Sequence, residues 1–417
     1  MDITTLAHQL RESVTMALGY NERASRDQVA TMTRNHIESL PRGTRKELTP
    51  EQKEELVDSV CNDILGLGPL QELMQDDEVT EIMVTGPHAV YIERGGRKVL
   101  SDCRFKDAGH VRTIVERMMM DSGRRLDESV PYCDFAYTDG SRVHVIIPPL
   151  AVGCAQVTIR KFLDTIQDVQ DLVRFGTLDE RMAEFLVACM QAKRNLLFSG
   201  ATGCGKTTTL AALSTYISPG ERVVTIEDTL ELNLNQAHVV PLLTRPPNIE
   251  GTGEVTLRDL LRNSLRMRPS RILLGEIRGS EAMDYLQAVN SGHRGCSAVL
   301  HAASPADALR RVETLSLYAG LNLPASAIRR QIASGIDLII QQDQLHDGSR
   351  KVTHISEIRG IEDDEILVQD LFRYELESTD EAGRAHGRFV ALDAPADLAA
   401  YARVGIELSA DLFSPDA

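Results

Sequence analysis

The stretch "SGATGCGKTTT", residues 199–209, sets glycines, one lysine and four threonines between two apolar runs. Gly200, Gly205, Lys206 and Thr207 fit the spacing G-x-x-x-x-G-K-[ST]. With Ala201, Thr202, Gly203 and Cys204 between them, the glycines let the backbone turn its N–H groups inward around an anion. A helix starting near Gly205 adds partial positive charge at the same place. Lys206 is expected to reach the β- and γ-phosphates and the Thr207 hydroxyl to ligate magnesium, with Thr208 completing the binding set. Such a loop holds a nucleoside triphosphate.

Hydrolysis also requires magnesium and a carboxylate able to polarise water. "RVVTIEDTLEL" places Glu227 and Asp228 just past one apolar run, and "RILLGEIRG" places Glu276 just past another. Where the common form of the second motif ends in aspartate, this chain has Gly275, and the acid follows it. Glu276 is assigned to orienting the attacking water, and Glu227 with Asp228 to holding magnesium through its bound waters. Any one of these acids alone would read as a helix cap or a solvated turn residue. Together, each at the end of a strand, they point to catalysis. In "SGHRGCSAVLHAASPADALRRVETL", His293 and His301 flank a further strand. A single histidine is commonly structural, and His293 is read so. His301 ends its strand beside the loop and is assigned to sensing or positioning the γ-phosphate.

These residues need an element order that brings strand ends together. Apolar runs at 195–199, 222–227, 271–275 and 296–301, alternating with helical segments, predict an α/β domain over 181–372. Its sheet is expected to be mostly parallel, with helices on both faces. Upstream, Leu6, Leu10, Val14 and Leu18 recur every four residues. Thr49-Pro50-Glu51-Gln52 resembles a capping box ahead of the stripe Leu56, Val57, Val60, Ile64 and Leu65. Residues 1–70 are therefore expected to be a helical appendage. Residues 72–162 change to short strands and turns around one helix, an α+β domain. The methionines of "HVRTIVERMMMDSGRRLDE" are read as core. A linker is expected over 163–180. Residues 373–417, where acids outnumber bases, are expected as a tail whose "DLAAYARVGIELSADLF" docks.

The 417-residue chain carries a net charge of −16, which argues against coating duplex nucleic acid. No apolar run approaches about 20 residues, so neither a spanning helix nor a signal peptide is expected, and a membrane role is expected to be peripheral. Seven cysteines without C-x-x-C pairs argue against a metal cluster or disulfide framework and suit a reducing cytosol.

With these motifs in order, the chain resembles the type II/IV secretion ATPase superfamily. Thr225 to Leu230 matches its acidic "Asp box", Gly275-Glu276 its atypical Walker B motif, and Gly292 to Ala302 its "His box". The segments "EIMVTGPHAVYIERGG", "DGSRVHVIIPPLA", "TIRKF" and "MRPSRILLGEIRG" are similar to the branch that powers tight-adherence (Flp-type) pili, called TadA or CpaF. The helical N-terminus and "ARVGIELSADLF" look like that branch too. The four-cysteine zinc site of type II secretion ATPases is missing, and Gly295-Cys296-Ser297 departs from the usual Gly-Ser-Leu. The resemblance implies a RecA-like nucleotide domain behind a PAS-like N-terminal domain. It implies a cytoplasmic homohexamer peripheral to the inner membrane, with ATP and Mg2+ at the cleft between domains. It also implies partnership with a polytopic platform protein and prepilin moved indirectly. Arg142 in "GSRV" and Arg160 in "TIRKF" match the arginines that contact the γ-phosphate in such rings; on their own they read as strand-surface charges. Two rivals stand beside this reading: a nucleic-acid-translocating ring ATPase and a nucleotide-switched scaffold. The first calls for stacking aromatics and a basic surface, and this chain has no tryptophan. The second sits poorly with an intact Lys206, Thr207 and Glu276.

Overall fold

The computed structural model describes residues 3–18, 24–41, 48–120, 122–162, 166–248 and 251–414. The chain divides into two compact units, Met1–Phe162 and Leu163–Ala417.

The first unit opens with three helices, α1 (Ile3–Leu18), α2 (Arg26–Ser39) and α3 (Pro50–Leu65). Leu6, Leu10 and Val14 of α1 meet Val29 and Ile37 of α2 and Leu56, Val57 and Val60 of α3 in one small core. Thr49 caps α3 as its sequence suggests. Its hydroxyl accepts from the Gln52 amide at 3.2 Å, and the Gln52 side chain accepts from the Thr49 amide at 3.0 Å. A short helix α4 (Gln71–Gln75) leads into strands β1 (Val79–Gly86), β2 (Ala89–Arg94) and β3 (Arg97–Leu100). Helix α5 (Ala108–Met119) precedes β4 (Tyr132–Ala136), β5 (Arg142–Ile146) and β6 (Gln156–Arg160). The six strands form one antiparallel sheet in the order β3-β2-β1-β6-β5-β4. Alternate residues such as Ile82, Val84, Val143, Val145, Val157 and Ile159 join Ile114, Met118 and Met119 of α5 in its core. Met118 and Met119 are core residues, whereas Met120 is exposed.

The second unit begins within the segment expected as a linker, whose residues 163–165 lie outside the described ones. From Asp168 onward that segment belongs to the unit. Asp168 caps helix α6 (Val169–Arg174), and Val169 and Leu172 are buried in the main core. Helix α7 (Glu180–Gln191) leads into β7 (Leu196–Gly200) and α8 (Lys206–Ser214). Then follow β8 (Val223–Glu227), β9 (Val239–Leu243), α9 (Leu257–Ser264), β10 (Arg271–Leu274), α10 (Glu281–Asn290) and β11 (Ser297–Leu300). Helices α11 (Pro305–Leu317) and α12 (Ala325–Gly335) precede β12 (Leu338–Gln344), β13 (Arg350–Glu362), β14 (Glu365–Thr379), β15 (Ala385–Ala391) and the one-turn α13 (Ala399–Ala402).

The nine strands make one sheet in the order β15-β14-β13-β12-β7-β11-β10-β8-β9. From β12 to β9 they run parallel. Both faces are covered, which explains the continuous apolar runs. Leu196 and Phe198 point into the core shared with α6, α7 and α8, while Leu197 points into the core shared with α9 to α12. The sheet departs from the sequence reading at its C-terminal side. Residues 373–417 are not a tail: β14 runs through position 373, and β15 pairs with it antiparallel. The described acids of this segment are all partly or fully exposed. Beyond them Tyr401, Leu412 and Phe413 are buried against Phe185 and Phe372.

Candidate functional site

The parallel strands all present their C-terminal ends at one edge of the sheet, and the loop after β7 lies there. Gly200 has φ +149°, and a Cβ on it would lie 1.9 Å from the Gln342 carbonyl oxygen of β12. Only glycine fits that approach. Gly205, at φ +98°, starts α8 with a turn that a side chain would strain. Ala201, Thr202 and Gly203 form an exposed crown, Thr207 is half-buried and Thr208 is exposed. Cys204 is buried beneath the crown, where burial pushes its thiol up against the opposing pull of Lys206.

Lys206 is 6% exposed and folds back over the loop. Its ammonium donates to the carbonyls of Gly200 at 3.0 Å and Ala201 at 2.6 Å, and lies 3.3 Å from His301 Nδ1. An ammonium has only donors, so Nδ1 accepts and His301 carries its hydrogen on Nε2. That nitrogen faces Glu276 Oε1 at 3.1 Å. Strand polarity thus separates the two histidines of the box. His301 follows the C-terminal end of β11 at the phosphate loop, and His293 precedes its N-terminal end beside Ser291.

Glu276 follows β10 through Gly275. Burial works against its charge, but hydrogen bonds from His301 and Arg278 outweigh it and hold the carboxyl at about 2. Arg278 spans the next gap, with Nη2 donating to Glu276 at 2.5 Å and Nη1 to Asp228 at 3.2 Å. Asp228 also accepts from the Thr244 hydroxyl at 3.0 Å. A continuous polar chain therefore runs from Lys206 through His301, Glu276 and Arg278 to Asp228. It crosses the ends of β7, β11, β10 and β8.

Glu227 stands apart from this chain. It is 2% exposed, and its Oε1 accepts from the amides of Glu231 and Leu232 at 3.0 and 2.9 Å. Oε2 is buried and has no hydrogen-bond partner among the described residues. Burial is the main cause that pushes this carboxyl up to about 7, despite the two amides. An orphaned carboxylate oxygen at the same edge of the sheet, three strands from the phosphate loop, fits the outer water shell of a cation, and the Thr207 hydroxyl fits the cation itself. No cluster of three His, Cys, Asp or Glu side chains able to hold a metal occurs among the described residues. A magnesium ion held chiefly by phosphates and water needs none.

Arg142 and Arg160 belong to the first unit. They face one another across β5 and β6, and Arg160 Nε pairs with Glu81 at 3.1 Å. Three residues of the second unit were not singled out by sequence. Arg278 bridges the two acids. Gln342 accepts from the Thr209 hydroxyl at 2.8 Å, and Arg350 donates to the Gly203 carbonyl at 2.9 Å. The one signal for Gln342 is a polar pair, Gln341-Gln342, inside an apolar strand. No helix among the described residues is long and apolar enough to cross a membrane.

The family pattern described as "Type II/IV secretion system protein" matches residues 63–386. "Putative conjugal transfer protein Rv3659c" of Mycobacterium tuberculosis is 34% identical over 333 residues, covering 75% of this chain and 94% of that protein. The type IV secretion system protein PtlH of Bordetella pertussis is 35% identical over 302 residues, covering 66% of this chain and 88% of that protein. Among solved structures, the VirB11 ATPase of the Brucella suis type IV secretion system is 29% identical, covering 70% of this chain and 96% of that chain, with a TM-score of 0.39. The Yersinia pseudotuberculosis ATPase DotB is 16% identical, covers 72% of this chain and 79% of that chain, and has a TM-score of 0.50.

Proposed function

We propose that this chain, which belongs to the type II/IV secretion system protein family, is an ATPase and the motor of a Tad/Flp-type pilus. In this reading it works as a cytoplasmic homohexamer at the inner membrane, engages a platform protein and moves prepilin indirectly. The polar chain from Lys206 to Asp228 carries the catalytic part, because it joins the phosphate loop, His box, Walker B acid and Asp box at one edge. The segments "EIMVTGPHAVYIERGG" and "MRPSRILLGEIRG" support the pilus branch.

The residues divide the work as follows. Lys206 exchanges the carbonyls of Gly200 and Ala201 for the β- and γ-phosphate oxygens, and the loop amides hold the remaining charge. His301 then loses a donor at Nδ1 and is positioned by Glu276 to meet the γ-phosphate. Glu276 orients water. At about 2 its carboxyl is too acidic to take a proton readily near neutral pH. Release of Arg278 toward Asp228 would raise its basicity at the moment of attack. Magnesium would be held by Thr207, with Asp228 and Glu227 receiving its bound waters, and would neutralise charge on the transferring phosphoryl group. Arg142 and Arg160 are proposed to read the γ-phosphate.

The test pairs solution and cell. Lys206→Ala should abolish ATP binding and turnover in vitro, and cells carrying only that variant should lack surface pili. The names of the mycobacterial and Bordetella relatives favour a second reading, a motor for type IV secretion or conjugation. Cells that keep their pili but lose protein export or conjugal transfer would move the assignment there.

A further inference from the structure

Arg350 begins β13, two strands from the phosphate loop, yet its side chain lies on that loop. Nε donates to the Gly203 carbonyl at 2.9 Å, and Cδ would sit 3.4 Å from a Cβ placed on Gly205. This is the only side-chain hydrogen bond Arg350 makes among the described residues, and it has no ion-pair partner there. Arg278, Arg329, Arg359, Arg373 and Arg384 of the same unit each hold a carboxylate. An arginine kept beside an anion-binding loop without a carboxylate has its charge free for an anion.

The sheet order says which part of the nucleotide it meets. His301 and Glu276 follow β11 and β10, on one side of β7; β12 and β13 lie on the other. The γ-phosphate end of a triphosphate in the loop faces His301 and Glu276. Its nucleoside end therefore leaves over β12 and β13, where Arg350 waits at the crown. We infer that Arg350 is a nucleotide-binding residue that contacts the phosphate nearest the nucleoside, and so holds ATP and ADP alike. The inference rests on the proposed ATPase site. Arg350 differs in kind from Arg142 and Arg160, which that reading assigns to the γ-phosphate.

The experiment measures ADP and a non-hydrolysable ATP analogue by titration against the full chain, Arg350→Ala and Arg350→Gln. A glutamine amide can still donate to the Gly203 carbonyl but carries no charge, so it separates pinning of the loop from contact with phosphate. Both variants should weaken both nucleotides by about tenfold, the scale of one charge-assisted hydrogen bond. KM for ATP should rise by a similar factor, while kcat at saturation stays within about twofold of the parent. Melting temperature without nucleotide should be unchanged in Arg350→Gln, which carries the measurement should the alanine variant fail to fold. Parental affinity in Arg350→Gln, or a loss confined to the ATP analogue, overturns the inference. Lys206→Ala serves as control. If it abolishes binding while Arg350→Gln has no effect, only the role of Arg350 falls; if it leaves binding intact, the ATPase reading itself falls.

Discussion

Arg142 and Arg160 are direct partners across the antiparallel strands β5 and β6, so the first unit sets two cationic residues at opposed positions. Like charges at opposed positions cost stability in a sheet. Glu81, the partner of Arg160 on β1, offsets part of that cost. Arg142→Ala and Arg160→Ala should each weaken a non-hydrolysable ATP analogue by about 1.5–3 kcal/mol, the range for a hydrogen bond to a charged group. ADP affinity should hardly change. Calorimetric titration of both nucleotides checks this, and equal losses for both would withdraw the two arginines from the site.

Glu276→Gln should keep ATP binding and lose turnover by about two orders of magnitude. The amide keeps the size of the side chain but can accept from only one of His301 and Arg278, because its NH2 is a donor, and it cannot supply the carboxylate. Single-turnover hydrolysis beside a binding titration separates the two effects. Near-parental hydrolysis would transfer the role to Glu227 or end the assignment.

The Glu227 carboxyl sits at about 7 in the folded protein, above the ordinary 4.5. Between those values the folded chain holds a proton that the unfolded chain releases. Stability from this group is therefore complete below about pH 4.5 and drains away as pH rises through about 7. Glu227→Gln cannot lose a proton, so its stability relative to the parent should grow over that window. At about 1.36 kcal/mol per pH unit the gain comes to a few kcal/mol. Denaturant melts of the metal-free protein from pH 5 to 8 measure it. Parallel curves for parent and variant would contradict the buried, protonated carboxyl.

Much of this site was legible because its parts are local. Leu196 to Thr209 declares a buried strand, a glycine turn and a helix within fourteen consecutive positions. Glu227, Glu276 and His301 each follow an apolar run, and parallel strands bring such ends to one edge whatever their separation. What stayed hidden depends on pairing between distant segments. Gln342 and Arg350 meet the loop only because β12 lies beside β7 and β13 beside β12. Arg278 bridges acids from two strands that become neighbours only on folding. Strand β4, with one buried residue in five, shows too little apolar pattern to stand out. In β14 the solvent-facing acids mask the alternation, and the segment reads as a tail. The facing of Arg142 and Arg160 depends on the register of β5 and β6, which no local spacing reports.

The burial of Tyr401, Leu412 and Phe413 beneath the sheet also bears on how the protein is made. Their rings and side chains share a core with Leu210 and Leu213 of α8, the helix that carries the phosphate loop. On a ribosome, every nucleotide motif would emerge well before the residues that complete this core. Domains tend to fold as units during synthesis, and here the second unit would wait for the segment through Phe413. Until then the first unit, already free, would be accompanied by a motif-complete but unsupported sheet.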